Sequence, residues 1–174
     1  MISKRAADIM IPLEKYPHIP HWFTMRQAVA EIENSEIEIN GRRSLPRALL
    51  VFDERYQLLG VVRRRDILRG LEPRFGQGVP KSQRQAFDVE VDPALMELSF
   101  AQNPEAFREQ AEKPISTVTK PIPNIVDHED HLAKLVHIMV IEDLHLLPVV
   151  KDGRVVGVVR SADVFHEVAK VLLQ

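Results

Sequence analysis

The most constraining feature of this sequence is that it aligns with itself. Leu58-Leu59-Gly60-Val61-Val62-Arg63-Arg64-Arg65-Asp66-Ile67 lies without a gap over Val155-Val156-Gly157-Val158-Val159-Arg160-Ser161-Ala162-Asp163-Val164. Gly, Val, Val, Arg and Asp are identical in the two copies, and three more positions exchange only aliphatic side chains. Just upstream, Leu49-Leu50-Val51-Phe52-Asp53-Glu54 answers Leu147-Pro148-Val149-Val150-Lys151-Asp152, with the second copy one residue shorter at the turn. Self-similarity of this kind points to one supersecondary unit used twice.

Each copy reads as the same string of elements. Ala48 to Phe52 is an apolar, β-rich run that meets a polar turn at Asp53-Glu54-Arg55, and Leu58 to Val62 is a second apolar run, so the pair reads as a buried hairpin. In the second copy the turn is Lys151-Asp152-Gly153, and Asp-Gly is a strong hairpin signal. Both copies then become helical, through Asp66 to Leu71 and through Asp163 to Leu172, with Ser161 a candidate N-cap for the latter. Ahead of each hairpin sits an amphipathic helix. Thr24 is placed to cap Met25 to Ile32, and Leu132, Leu135, Val136 and Met139 recur at helical spacing. The expected architecture is α/β (α+β): two βαββα repeats, each too small to bury its own sheet face, packed pseudo-symmetrically with a helical connector. The expected boundaries are 1–72 for the first repeat, 73–113 for the connector and 114–174 for the second repeat.

Two stretches fall outside the repeat. Glu72 to Pro114 has a loop marked by Pro73, Gly76, Gly78 and Pro80, then two helical segments, Ala86 to Phe100 and Pro104 to Glu112, with Asp92-Pro93 and Asn103-Pro104 read as starts. Asn34 to Pro46 separates helix from hairpin in the first copy. Neither carries recognisable chemistry, and both are expected to form accessory helices that cover the core or a dimer surface.

Composition removes several function classes. The 23 basic residues are matched by 25 acidic ones, for a net charge of −2, which argues against a chain that lives on nucleic-acid phosphates. The absence of cysteine removes disulfide frameworks, thiolate metal sites and cysteine nucleophiles. No stretch approaches the ~20 apolar residues of a membrane span, so a cytoplasmic protein with no membrane or nucleic-acid partner is expected. Neither a Gly-x-Ser-x-Gly elbow nor a phosphate loop nor a His-Glu-x-x-His pair is present, and an enzyme is not expected. His128 and His131, among Asp127, Glu129 and Asp130, have metal-like spacing, but acids before a helix are ordinary start signals, and no metal site is assigned.

Ala7-Asp8-Ile9-Met10, the run from Leu147 to Val159 and the helix opening at Asp163 together resemble paired cystathionine-β-synthase-type (CBS) domains. The resemblance implies a Bateman-type regulatory module that binds AMP, ATP or a related adenosyl ligand in clefts between the repeats, works as a homodimer and answers to a protein partner. No obligatory cofactor is implied. The ligand-contacting positions it implies are Arg63, Arg64, Arg65, Asp66, Thr119, Lys120, Pro148, Arg160, Ser161 and Asp163. In such domains the strand-to-helix turn reads Gly-x-x-Thr/Ser-x-x-Asp, with the hydroxyl at phosphate and the Asp at ribose. Here Gly60 and Asp66, and Gly157 and Asp163, keep the ends, while Arg63 and Arg160 replace the hydroxyl residue. An arginine there either clamps a phosphate with two N–H groups or fills the pocket, the latter leaving a ligand-free dimerisation or interaction module.

The turn has its own physics. A glycine admits close backbone approach, and a helix starting just beyond presents free N–H groups, so an anion suits the spot. Arg63, Arg64 and Arg65 at a helix start oppose the macrodipole, which an anionic partner would relieve; alternatively they fan into water or pair with Glu54, Glu72 or Asp66. Asp66 and Asp163 are either ligand contacts or plain first-turn acids.

Overall fold

The computed structural model describes residues 3–39, 41–72 and 104–173. The first copy comprises β2 (His18–Pro20), α2 (Met25–Asn34), a small hairpin β3 (Ile37–Ile39) and β4 (Arg42–Ser44), then β5 (Ala48–Phe52), β6 (Leu58–Arg63) and α3 (Arg64–Leu71). The second comprises β7 (Val126–Asp127), α5 (Leu132–Ile141), β8 (Leu146–Lys151), β9 (Arg154–Arg160) and α6 (Ser161–Leu172). A short helix α1 (Ala6–Ile9) and strand β1 (Ile11–Pro12) precede the first copy, and α4 (Pro104–Ala111) precedes the second. The βαββα plan therefore occurs twice. The expected helix over 86–100 lies outside the described residues, whereas the one from Pro104 is α4, with proline in its first position, where no N–H is needed.

Local chemistry explains the elements. Thr24 Oγ1 accepts the Gln27 N–H at 3.1 Å while Gln27 Oε1 accepts the Thr24 N–H at 2.8 Å, a reciprocal cap that starts α2. Asp152 and Gly153 both hold positive φ, 50° and 75°, which the two-residue turn between β8 and β9 requires. In the first copy Asp53 Oδ1 instead accepts the N–H groups of Arg55 and Gln57, both at 2.8 Å, closing a longer turn. The insertion after α2 is not the expected accessory helix but the hairpin β3 and β4, because Ile37-Glu38-Ile39 alternates and the chain turns through Gly41 at φ 74°.

Chain order and packing do not coincide. β5 pairs with β6 and, in parallel, with β2; β8 pairs with β9 and, in parallel, with β7. But β1, from the N-terminal side of the first copy, joins the second sheet, with Ile11 opposite Val158 and Pro12 opposite Gly157. The segment entering the second copy does the reciprocal: Lys120 exchanges backbone hydrogen bonds with Val61 of β6, at 2.8 and 2.9 Å. Ala6 and Ile9 accordingly lie in the second copy's core with Leu135 and Leu147, and Ile115 lies in the first copy's core with Leu49 and Val62. A third cluster, Ile11, Leu13, Tyr16, Ile37, Leu50, Phe52 and Val158, draws from both copies and joins them.

This exchange explains the repeated glycines differently from the sequence reading. Gly60 and Gly157 lie within β6 and β9, not at a turn facing a ligand. A Cβ on Gly60 would stand 2.1 Å from the carbonyl oxygen of Lys120, and one on Gly157 would stand 2.5 Å from that of Ile11. The backbone that approaches each glycine is the chain's own crossing segment.

Candidate functional site

The two strand-to-helix turns are built alike. Arg63 ends β6 and Arg160 ends β9, each in extended backbone, and each is the residue before a helix. The Arg-x-x-Asp spacing sets an arginine at the cap position against a carboxylate in the first turn. Asp66 Oδ2 accepts the Arg63 backbone N–H and Nε–H, both at 3.0 Å, and Oδ1 takes Nη2 at 3.4 Å. In the second copy Arg160 Nε and Nη2 donate to the two oxygens of Asp163, each at 2.8 Å, a two-pronged pair. Burial alone would raise the Asp66 pKa, but the hydrogen bonds from Arg63 outweigh it and hold the carboxyl below its usual range. Bonding to the carboxylates raises the pKa of both arginines in turn.

Of the two uses open to the arginines, the structure therefore shows each tied to its own aspartate. Ser161 is the first residue of α6 and Arg160 occupies the N-cap position, so the expectation of a serine cap that leaves Asp163 free is corrected. The reason is that β9 runs through to Arg160, with Leu146 opposite it, and the Ser161 N–H is taken by the His145 carbonyl at 2.9 Å.

The named positions fall into two groups. At the first turn, the crossing segment brings Lys120 to the cleft that Asp66 lines, while Thr119 packs beside Gly60. This 320 Å³ cleft is lined by Asp66, Arg69, Glu72, Lys113, Thr117 and Lys120, among others. Lys113 and Lys120 make no ion pair among the described residues, and Arg69 stands 3.8 Å from Asp66. The Thr119 hydroxyl donates to the Ile115 carbonyl at 2.9 Å and is turned into its own segment. Arg64 and Arg65 are exposed in the first turn of α3 but do not line this cleft. Arg160, Ser161 and Asp163 form the second group, and Pro148 is buried within β8 opposite Val158.

The second turn has neighbours that the first lacks. Arg160 Nη1 donates to Ser44 Oγ at 2.8 Å, and Arg42 Nη1 lies 3.1 Å from His166 Nδ1, so the β3–β4 hairpin of the first copy rests on the second copy's turn. Tyr16 is also close. Its hydroxyl donates to the Ala48 carbonyl at 2.9 Å, and burial pushes its pKa up, only partly offset by the Arg160 charge. Sequence reading missed Arg69, Lys113, Ser44 and Tyr16. Arg69 was within reach, one turn from Asp66 on α3; the others arrive through long-range packing. A separate 250 Å³ groove runs between the two hairpin turns, lined by Tyr56, Leu58, Ile122, Ile125 and Arg154, among others.

The acids near His128 are structural. Asp130 Oδ2 accepts the Asp127 N–H at 2.9 Å, Asp127 Oδ1 accepts the Glu129 N–H at 2.9 Å, and Lys134 pairs with Asp130 at 2.7 Å, which together shape the start of α5. No group of three metal-ligating side chains occurs among the described residues, and no described helix is long and apolar enough to cross a membrane.

Comparison with known proteins places this architecture. Residues 115–170 match the family model of the CBS domain. The solved CBS-pair protein CBSX2 from Arabidopsis thaliana superposes with a TM-score of 0.63 at 15% identity, covering 99% of each chain. A structure of CBSX2 in complex with AMP gives 0.61 at 17% identity, over 97% of this chain and 98% of that one. The cytosolic domain of the Mg2+ channel MgtE in complex with ATP gives 0.57 at 16% identity, over 94% of this chain and 48% of that one. No curated protein sequence matches. The second repeat is thus a CBS domain by its sequence, and the chain as a whole has the fold of a tandem CBS-domain pair.

Proposed function

We propose that this chain is a regulatory, non-catalytic module that binds an adenine nucleotide (AMP, ADP, ATP or an adenosyl compound) and passes the binding event to a partner through the relation of its two repeats. The observation that carries the reading is the first cleft. Its 320 Å³ lies within the ~300–1,000 Å³ typical of small-molecule sites, and among the described residues Arg69, Lys113 and Lys120 converge on it with Asp66 and Glu72 as the lining acids. An excess of cations over acids in a concave, partly apolar site suits a phosphate-bearing ligand. Two structures of the same fold hold AMP and ATP, which supports an adenine nucleotide as that ligand. With Asp66 held by Arg63, phosphate contacts from Lys120 and its neighbours contribute more than a ribose contact from the aspartate.

The Arg63–Asp66 and Arg160–Asp163 pairs favour one competing reading, a ligand-free interaction module whose turns are satisfied internally. In either reading we infer a homodimer through α6 and α5, where Phe165 is 73% and Val140 73% exposed; Val164, the residue before Phe165, is buried in the core.

Calorimetry with AMP, ADP and ATP separates the readings. Saturable binding should occur and weaken about 10- to 100-fold in Lys120→Ala, since a hydrogen bond to a charged group contributes ~1.5–3 kcal/mol. Absence of heat with all three nucleotides, together with an unchanged melting temperature in their presence, would establish the ligand-free module.

A further inference from the structure

The pseudo-symmetry of the fold predicts two equivalent clefts, yet the two turns are covered differently. The Arg63 side chain is 55% exposed, whereas that of its counterpart Arg160 is 18% exposed. The difference has a visible source. Among the described residues the Arg63 side chain bonds to Asp66 alone, but Arg160 also donates Nη1–H to Ser44 Oγ at 2.8 Å, across 116 residues of sequence. Arg42, two residues before Ser44 on β4, reaches His166 on α6 at 3.1 Å. The hairpin is anchored at its other strand by Ile37, which is buried with Ile11 and Val158 in the cluster that joins the repeats.

We infer that the β3–β4 hairpin is a built-in occupant of the second cleft: the Ser44 hydroxyl takes the Arg160 N–H that would otherwise face an anionic ligand. The inference rests on the nucleotide reading above and narrows it to one nucleotide per chain, bound at the first cleft. The physical basis is competition for the one open edge of the guanidinium. Nε and Nη2 face Asp163 and Nη1 faces Ser44, and the side chain is only 18% exposed, so an incoming phosphate must displace Ser44 and lift β4 to gain a contact that the hairpin supplies intramolecularly. The first turn has no counterpart of this cover, because the second copy runs from α5 to β8 through 142–145 alone and carries no such hairpin. The asymmetry is therefore written into the insertion and not into the repeated motif.

The test measures ATP stoichiometry by calorimetry in the intact chain, in Arg42→Ala/Ser44→Ala, which keeps the Ile37 anchor, and in a chain whose residues 37–44 are replaced by a short Gly-Ser link. One ATP per chain in the intact protein and two in either variant is the expected result. Two per chain in the intact protein, or one in both variants, overturns the inference while leaving the nucleotide reading standing. A second readout does not depend on any ligand: the chain has no cysteine, so Ser161→Cys supplies a single thiol beside Arg160. Its maleimide labelling should accelerate several-fold when the hairpin is altered. If no protein binds ATP, the nucleotide reading fails, and the labelling rate alone decides the hairpin: an unchanged rate overturns its covering role and an accelerated one upholds it.

Discussion

Gly60 gives the sharpest test of how this fold closes. In Gly60→Ala the new methyl would stand 2.1 Å from the Lys120 carbonyl oxygen and 2.8 Å from its carbon. Both are backbone atoms, so no side-chain rotation relieves the contact and the crossing segment must move away. That movement stretches the reciprocal Val61 and Lys120 hydrogen bonds, now 2.8 and 2.9 Å, each of which contributes ~0.5–1.5 kcal/mol net. Overpacking adds ~1–3 kcal/mol, for a total of about 2–6 kcal/mol. In a chain of this size a loss of 1 kcal/mol lowers Tm by ~2–4 °C, so a fall of roughly 5–20 °C is expected in thermal unfolding followed by circular dichroism. Gly157→Ala should behave in the same way, since its Cβ meets the Ile11 carbonyl oxygen at 2.5 Å. Gly153→Ala is the control: nothing lies within 4 Å of its Cβ, and only its φ of 75° is unfavourable, which costs ~1–2 kcal/mol. If Gly60→Ala melts within a degree of the parent, or if it loses nucleotide affinity with no loss of stability, the close approach is not what the glycine serves.

Two further outcomes can be checked directly. Glu167 is buried and pairs with Lys170 at 2.6 Å and Lys4 at 2.7 Å, contacts that hold its carboxyl below the usual range. A depressed carboxylate pKa stabilises the fold fully above the unfolded value and loses that contribution as pH falls through the folded one. Glu167→Gln should therefore lower Tm by about 2–4 °C near pH 7, an effect of ~1 kcal/mol given the half-exposed lysines, and the difference should shrink below about pH 4; a constant difference down to pH 3 would refute the ion-pair account. For the inferred homodimer, Phe165→Glu should convert the light-scattering mass at tens of micromolar from two chains to one, whereas a monomeric parent would overturn that interface.

The legible parts of this fold are those with local causes. The α2 cap, the Asp152-Gly153 turn and the four central strands follow from residues within a few positions of one another, and the repeat multiplies each signal by two. The β3–β4 hairpin had a local cause too, in the alternation of Ile37-Glu38-Ile39 and the Asn40-Gly41 that follows, but the reading of this insertion as an accessory helix passed over it. What the sequence could not reveal is the exchange of entry segments. β1 is only two residues long, and the Lys120 contact is an isolated pair, so neither carries a periodicity; both are fixed by glycines far away in sequence. Glu167 illustrates the same limit, since its burial depends on Lys4, at the opposite end of the chain.

The candidate site divides along that line too. The identities shared by the copies, glycine, arginine and aspartate, are each satisfied by the chain itself: the glycine by a crossing backbone, the arginine and aspartate by one another. Strong repetition thus records at least what each half needs in order to fold on the other, and the same pairs hold Asp66 and Asp163 in place. In the proposed nucleotide reading, binding specificity comes from residues that break the repeat. Arg69 has no cationic counterpart in α6, where His166 follows Asp163 at the same offset, and Lys113 and Lys120 flank only the first turn. Ser44 and Arg42 flank only the second. A duplicated fold whose two turns differ in charge at one and in internal cover at the other fits the proposed response to one ligand at one place, with the unlike residues, not the alike ones, deciding which.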